Sequence, residues 1–175
     1  MNMKCTIFLD HQGVMYTGKW PNHPYFLDVD FDVDNVVTLN NFITSLSEDH
    51  NIQTDIVVSS DWRLHYELPM LQKFYQRQGI ISIPVGITPR IPINVVQCNS
   101  IAKMRAEEIQ AYIRIHSIGD SWIAIDDLNM TEFLPKNHFI HCRYPKASVQ
   151  IEKYGLCRET ELLNNMRSII VQYTQ

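Results

Sequence analysis

A chain of 175 residues with 45% hydrophobic and 19% charged residues can bury a sizeable core, and that apolar content excludes a largely disordered protein. Its formal net charge of -4, with Lys and Arg scattered along the chain, gives no general attraction for a phosphate backbone and no basic patch for nucleic acid. No run approaches the roughly 18 apolar residues of a membrane span, the segment after Lys4 lacks a signal-peptide core, and Cys5, Cys98, Cys142 and Cys157 lack zinc-site or disulfide-framework spacing, so one cytoplasmic domain over residues 1–175 with reduced thiols is expected.

The first predicted element, Cys5-Thr6-Ile7-Phe8-Leu9, is continuously apolar or β-branched, as a central strand buried on both faces requires, and it runs into Asp10. Residues 14–34 have no helical period. There Gly18, Pro21 and Pro24 mix with Tyr16, Trp20, Tyr25 and Phe26, which predicts an aromatic-rich flap, loop or small hairpin. The alternating Asp28, Asp30, Asp32 and Asp34 do not form a calcium loop, because Val33 stands where the turn glycine belongs and Leu39 where the bidentate Glu belongs. They read as a solvated strand face, with Asp34 capping a helix through Val36, Val37, Leu39, Phe42, Ile43 and Leu46.

A second buried strand is predicted over Asp55-Ile56-Val57-Val58-Ser59-Ser60, followed by a helix from Asp61-Trp62-Arg63 to about Gln78. A third strand is predicted over Ile80 to Pro84, and Val85-Gly86-Ile87-Thr88-Pro89 reads as turn. From Ala102 to His116 a helical stripe gathers Ile101, Met104, Ile109, Tyr112 and Ile113, leaving Glu107, Glu108 and Arg114 elsewhere. Trp122-Ile123-Ala124-Ile125 predicts a fourth strand ending at Asp126-Asp127, and Phe139 to Cys142 a fifth. A closing helix from Glu159 to Tyr173 turns Leu162, Leu163, Met166, Ile169 and Ile170 inwards. Strands alternating with amphipathic stretches predict an α/β fold, helices covering both faces of a mainly parallel sheet.

Three predicted strands end in polar groups: Asp10, Ser59-Ser60 and Asp126-Asp127. In a parallel sheet those ends share one edge, so the three carboxylates meet in an oxygen-rich site suited to a hard cation, with a hydroxyl beside it for phosphate oxygens. Taken singly, an Asp after a strand is a turn former and Ser-Ser-Asp before a helix an N-cap. Their occurrence in this order is what carries information.

Phe8-Leu9-Asp10-His11-Gln12-Gly13-Val14-Met15 resembles the first motif of haloacid dehalogenase-like (HAD) hydrolases, usually Asp-x-Asp-Gly-Val/Thr. Val57-Val58-Ser59-Ser60-Asp61-Trp62-Arg63 resembles the second motif as it occurs in the HAD branch associated with RNA repair proteins. Gly86-Ile87-Thr88-Pro89 and Arg105-Ala106-Glu107-Glu108-Ile109 match that branch up to and through the third motif, and Ile125-Asp126-Asp127-Leu128-Asn129-Met130 resembles the fourth. Gly155-Leu156 repeats a late Gly-Leu element. The resemblance implies a three-layer Rossmann-like fold without a large cap domain. It also implies Mg2+ as cofactor and Asp10 as the nucleophile that becomes an aspartyl phosphate. By the same resemblance Asp126 and Asp127 join Asp10 as metal ligands, Ser60 or Ser59 binds phosphate, and Arg105 or Lys103 supplies the third-motif cation.

Gln12 departs from the pattern. The family's second Asp protonates the leaving alcohol and then activates water, and an amide does neither because it does not titrate. Its backbone carbonyl remains available to the metal. His11 is an alternative acid only if the chain turns there, since on a continuing strand it points away from Asp10 and Gln12; His23 is a second imidazole within reach. The implied activity is therefore a Mg2+-dependent phosphohydrolase or phosphotransferase, slow on simple esters. Without a large cap it would accept a bulky phosphorylated substrate such as a nucleic-acid end or a phosphoprotein. The alternative is a degenerate HAD fold that binds phosphate without turnover.

Overall fold

The computed structural model of the chain describes residues 3–18, 26–92, 100–143 and 155–174. Trp20, His23, Tyr25 and Cys98 lie outside these residues. Five strands, β1 (Met3–Leu9), β2 (Ile52–Val58), β3 (Pro84–Ile87), β4 (Trp122–Asp126) and β5 (Phe139–His141), form one sheet in the order β3-β2-β1-β4-β5. Every pairing is parallel. The helices are α1 (Val33–His50), α2 (Leu68–Arg77), α3 (Ile101–Ile115) and α4 (Thr160–Thr174).

Strand alternation divides the core into two layers. Cys5, Ile7, Leu9, Ile56, Val58, Ile123, Ile125 and Ile140 face α1, α2 and α4, meeting Leu39, Leu71, Leu163 and Ile170. Phe8, Val57, Trp122, Ala124 and Phe139 face the other way, onto Ala106, Ile109 and Tyr112 of α3. Tyr112 and Trp122 stand edge-on to Phe8 at centroid distances of 5.7 and 5.9 Å. The result is the three-layer α/β architecture that the alternating pattern anticipates. Among the described residues no helix is long and apolar enough to cross a membrane.

Several elements depart from the sequence reading. The third strand is Pro84–Ile87, within the segment expected to turn, and Ile80–Ile83 lie outside it. Gly79 takes φ +74 after α2, and Ile80 packs into the core rather than starting a ladder. Pro84 is tolerated as the first residue of an edge strand because no ladder N–H is needed there. The helix expected from Asp61 breaks into a 3-10 turn, Asp61–Leu64, followed by α2. Pro69 in the first turn of α2 cannot donate back to His65, so one continuous helix is excluded.

The aspartates at 28–34 form no strand face. Asp28 ends a short 3-10 turn, and α1 begins after Asp32 rather than Asp34. The Asp32 carboxylate makes no helix-capping bond; it accepts from the Thr17 backbone N–H at 2.9 Å and from Asn35 Nδ2 at 3.4 Å. Ile101 and Leu162, expected inside, are 63% and 39% exposed, whereas Glu108, expected outside, is buried. Cys5 and Cys142 are buried free thiols, and Cys157 is half-buried.

The late Gly-Leu element closes the site-bearing loop from behind. Leu156 donates to the Val14 carbonyl at 3.0 Å, and Cys157 donates to Asn35 Oδ1 at 2.8 Å. Gly155 sits at φ 85, ψ -154, a region essentially restricted to glycine, and a Cβ there would overlap the Val14 carbonyl. Gly155→Ala is expected to lower unfolding stability by about 2 kcal/mol. Urea denaturation measures this, and an unchanged midpoint would contradict it.

Candidate functional site

The order β3-β2-β1-β4-β5 reverses direction between β1 and β4, and at such a switch point the crevice opens beyond the carboxyl ends of the strands. The ladder continues one residue past each strand. Asp10 donates its N–H to the Ile125 carbonyl at 3.0 Å, Ser59 to Leu9 at 2.9 Å, Thr88 to Val58 at 3.0 Å and Cys142 to Asp126 at 3.0 Å. These bonds fix Asp10, Ser59 and Asp126 in one row. Asp10, Asp126 and Asp127 each offer an oxygen lying within 4.8 Å of the others.

Behind Asp10 the chain turns at once. The His11 carbonyl accepts from Met15 at 2.8 Å and Tyr16 at 2.9 Å, and Gly13, at φ +76, donates to Tyr16 at 2.8 Å. Gly13 lies so close to Asp127 that a Cβ would overlap its carboxylate. The turn sends the His11 ring into the core, where it meets Trp62 and Phe31 at 4.7 and 5.1 Å and shares a hydrogen bond of 2.7 Å with the Tyr75 hydroxyl. Burial, aided by Arg105, lowers its pKa to about 3, so this imidazole stays neutral. Gln12 donates from Nε2 to the Gly18 carbonyl at 3.2 Å, while its Oε1 is buried with no hydrogen-bond partner among the described residues.

Arg105 sits at the centre. Its Nη1 reaches Asp126 at 3.0 Å and Asp10 at 3.3 Å and donates to the Ser59 carbonyl; its Nη2 reaches Asp61 at 2.7 Å. Of the two cations considered for the third motif, Arg105 is therefore in the site. Lys103 stands in the first turn of α3, its backbone N–H bonded to the Ser100 hydroxyl at 3.5 Å. Ser60 hydrogen-bonds the Asp10 carboxyl through its side chain, and the Ser59 hydroxyl is buried without a partner among the described residues. Both serines are thus at the site.

Three participants were not singled out from sequence: Asp61, Arg63 and Glu108. Arg63 pairs with buried Glu108 and donates to the Ser60 carbonyl at 2.7 Å, and Glu108 Oε2 lies 3.9 Å from Arg105 Nε. The signal was the spacing of Arg105 and Glu108, three apart on one helical face.

Negative charge exceeds positive here. Burial, then proximity to Asp10, pushes Asp126 well above the usual carboxylate range and Asp127 up to about 7. Burial also raises Asp10, against the pull of Arg105 and the Ser60 bond. Burial alone would lower Arg105, but Asp126, Asp10, Asp61 and Glu108 keep it protonated. One guanidinium cannot neutralise three crowded carboxyls. A hard divalent cation fits both the all-oxygen donor set and the missing charge.

The family described as "HAD domain in Swiss Army Knife RNA repair proteins" matches residues 6–147, a span that includes Asp10, both serines, Arg105 and the tandem aspartates. The chain belongs to this family. No curated protein and no solved structure matches it.

Asp10 and Asp126 titrate above their unfolded values, and Asp127, raised to about 7, holds a proton between about pH 4 and 7 that the unfolded chain releases. The Asp127 contribution to stability is full below about pH 4 and is lost as pH rises through about 7. In a chelator, Asp127→Asn should therefore raise the melting temperature at about pH 8 and flatten its decline with pH. A lower melting temperature for the variant at that pH would contradict the charge imbalance.

Proposed function

We propose that the chain is a Mg2+-dependent phosphohydrolase or phosphotransferase working through an aspartyl phosphate at Asp10. Family membership supports phosphoryl handling. The observation that carries the finer reading is Asp10 itself: a buried carboxylate at the switch point, beside Arg105, the Ser60 hydroxyl and a carboxyl pair. Among the described residues, no other group in the cluster is shown with a strand-end position and contacts to both a cation and a hydroxyl.

Mg2+, when bound by Asp10, Asp126, Asp127 and the Gln12 backbone carbonyl, supplies positive charge that offsets repulsion between the Asp10 carboxylate and a phosphate dianion. The chain's own residues do the rest. An Asp10 oxygen attacks phosphorus, the bond to the leaving oxygen breaks, and the phosphoryl group remains on Asp10. Arg105, held protonated by its neighbours, faces the charge that develops on the transferring oxygens, with Ser60 and Ser59 as hydroxyl donors. Water, or an acceptor hydroxyl in a transferase, then attacks the aspartyl phosphate and regenerates the carboxylate.

The weak point is the proton. In this family the second Asp of the first motif delivers it to the leaving alcohol, and here Gln12 is tied to the Gly18 carbonyl while His11 is buried and neutral. Substrates with good leaving groups, such as acyl or aryl phosphates, are therefore favoured over alkyl esters. With no large cap, the substrate is a bulky phosphorylated one, a nucleic-acid end in keeping with the family's association with RNA repair, or a phosphoprotein.

Incubation with Mg2+ and aryl phosphates, acyl phosphates or end-phosphorylated oligonucleotides should give turnover that Asp10→Asn abolishes. Absence of turnover, with beryllium fluoride still raising the melting temperature, would replace the catalytic reading with phosphate binding alone. Gln12→Asp should increase alkyl ester hydrolysis by about 10²–10⁴, the usual worth of general acid/base catalysis. No increase would show that residue 12 does not face the leaving group.

A further inference from the structure

Beside Arg105, away from the carboxyl cluster, the 3-10 turn at Asp61–Leu64 and helix α3 enclose a cleft of about 550 Å3, a size typical of sites for small organic ligands. Its walls are of two kinds. Leu64, Ile101 and Met104 are apolar, and Leu64 and Ile101 are 46% and 63% exposed. The polar wall is formed by Arg63, Arg105, Glu108, Asp61 and Arg90. Within it Arg63 is paired with Glu108, and Arg105 with Asp61. Arg90 makes no ion pair or hydrogen bond among the described residues.

An exposed arginine is ordinarily a solvated one. What distinguishes Arg90 is how its backbone is held. Thr88, two residues before it, donates to the Val58 carbonyl at 3.0 Å, and Ile91, directly after it, donates to Glu108 Oε1 at 3.4 Å. Pro89 and Pro92 flank it and remove further backbone freedom. A second hollow of about 390 Å3 shares Arg63, Leu64 and Arg90 with the first and contains no acidic residue. An exposed arginine on a held stretch of backbone thus lines both hollows of a protein whose net charge is negative.

We infer that this cleft is a second anion subsite: Arg90 binds a phosphate of the substrate distinct from the one presented to Asp10, and the apolar wall covers the organic body between them. The substrate class is an organic bisphosphate with an apolar or planar core. Arg105 belongs to both places, lining the cleft and reaching Asp10, so a single guanidinium separates the cleft from the reacting centre. Arg90 is a specificity-determining residue and takes no part in the chemical step. The inference rests on the phosphoryl-transfer reading of Asp10.

The test separates the two. Binding of a nucleoside 3′,5′-bisphosphate and of the matching 3′-monophosphate is measured by calorimetry in Mg2+ on the Asp10→Asn protein, where turnover does not intervene. The bisphosphate should bind roughly tenfold to a hundredfold tighter, the worth of a charge-assisted contact. Adding Arg90→Ala should erase that difference while monophosphate affinity stays the same, and Arg90→Lys should restore part of it. With active protein, Arg90→Ala should raise KM for the bisphosphate and leave kcat and aryl phosphate hydrolysis unchanged. Equal affinities on the unsubstituted Arg90 background, or an equal effect of Arg90→Ala on both ligands, would overturn the subsite. A preference that Arg90→Ala erases, in a protein without turnover, would uphold the subsite while the catalytic reading fell.

Discussion

The site depends on one charge interaction, the contact of Arg105 with the carboxylates around it. A buried guanidinium without partners is costly, and so is a buried carboxylate; each becomes tolerable here because the other is within 3.3 Å. The match is incomplete by design of the residue set. Asp10, Asp126 and Asp127 converge on a space where Arg105 contacts Asp10 and Asp126, and their raised titration records the remaining negative charge. Glu108 and Arg63 extend the same logic outward, tying α3 to the turn that follows β2. The network therefore both holds the second-motif serines in register and leaves room for further positive charge.

Hydrogen bonding does the placing. The sheet ladder carries on beyond Leu9, Val58 and Asp126, so the clustered side chains begin where the strands end. The chain then leaves the sheet sharply, and the His11 ring becomes an aromatic core residue packed with Phe31, Trp62 and Tyr75. The turn bearing Asp10 and Gly13 is thus anchored from below by α2 and from behind by Gly155 and Leu156.

Most of the sheet was legible because parallel strands buried on both faces read as unbroken apolar runs, and Leu9-Asp10 and Ile125-Asp126 mark their ends without ambiguity. β3 was misplaced because Ile80 to Pro84 has the composition of a strand, whereas the residues that pair include a proline and a glycine. Only the tertiary contact explains Gly86: a Cβ there would overlap the Tyr112 hydroxyl. The aspartate row at 28–34 misled by its alternation, since one member, Asp32, is recruited by Thr17 and Asn35, which periodicity cannot register. At the site, the strand-end residues were readable and the ion pairs were not. Glu108 looked like a solvated helix residue, and its burial follows from Arg63, a partner 45 positions away.

The pairing of β1 with β4 joins Leu9 to Ile125, and the strands that frame the crevice on either side come from opposite halves of the chain. Closing so large a loop has an entropic cost that must be met before the pairing rewards it, and non-local pairings of this kind slow folding. No early fragment of the protein possesses the clustered acids: a nascent chain that has emerged as far as β3 holds Asp10 and the serines but neither Arg105 nor the tandem aspartates. The acidic cluster is consequently a property of the finished topology, complete only where β4 pairs with β1.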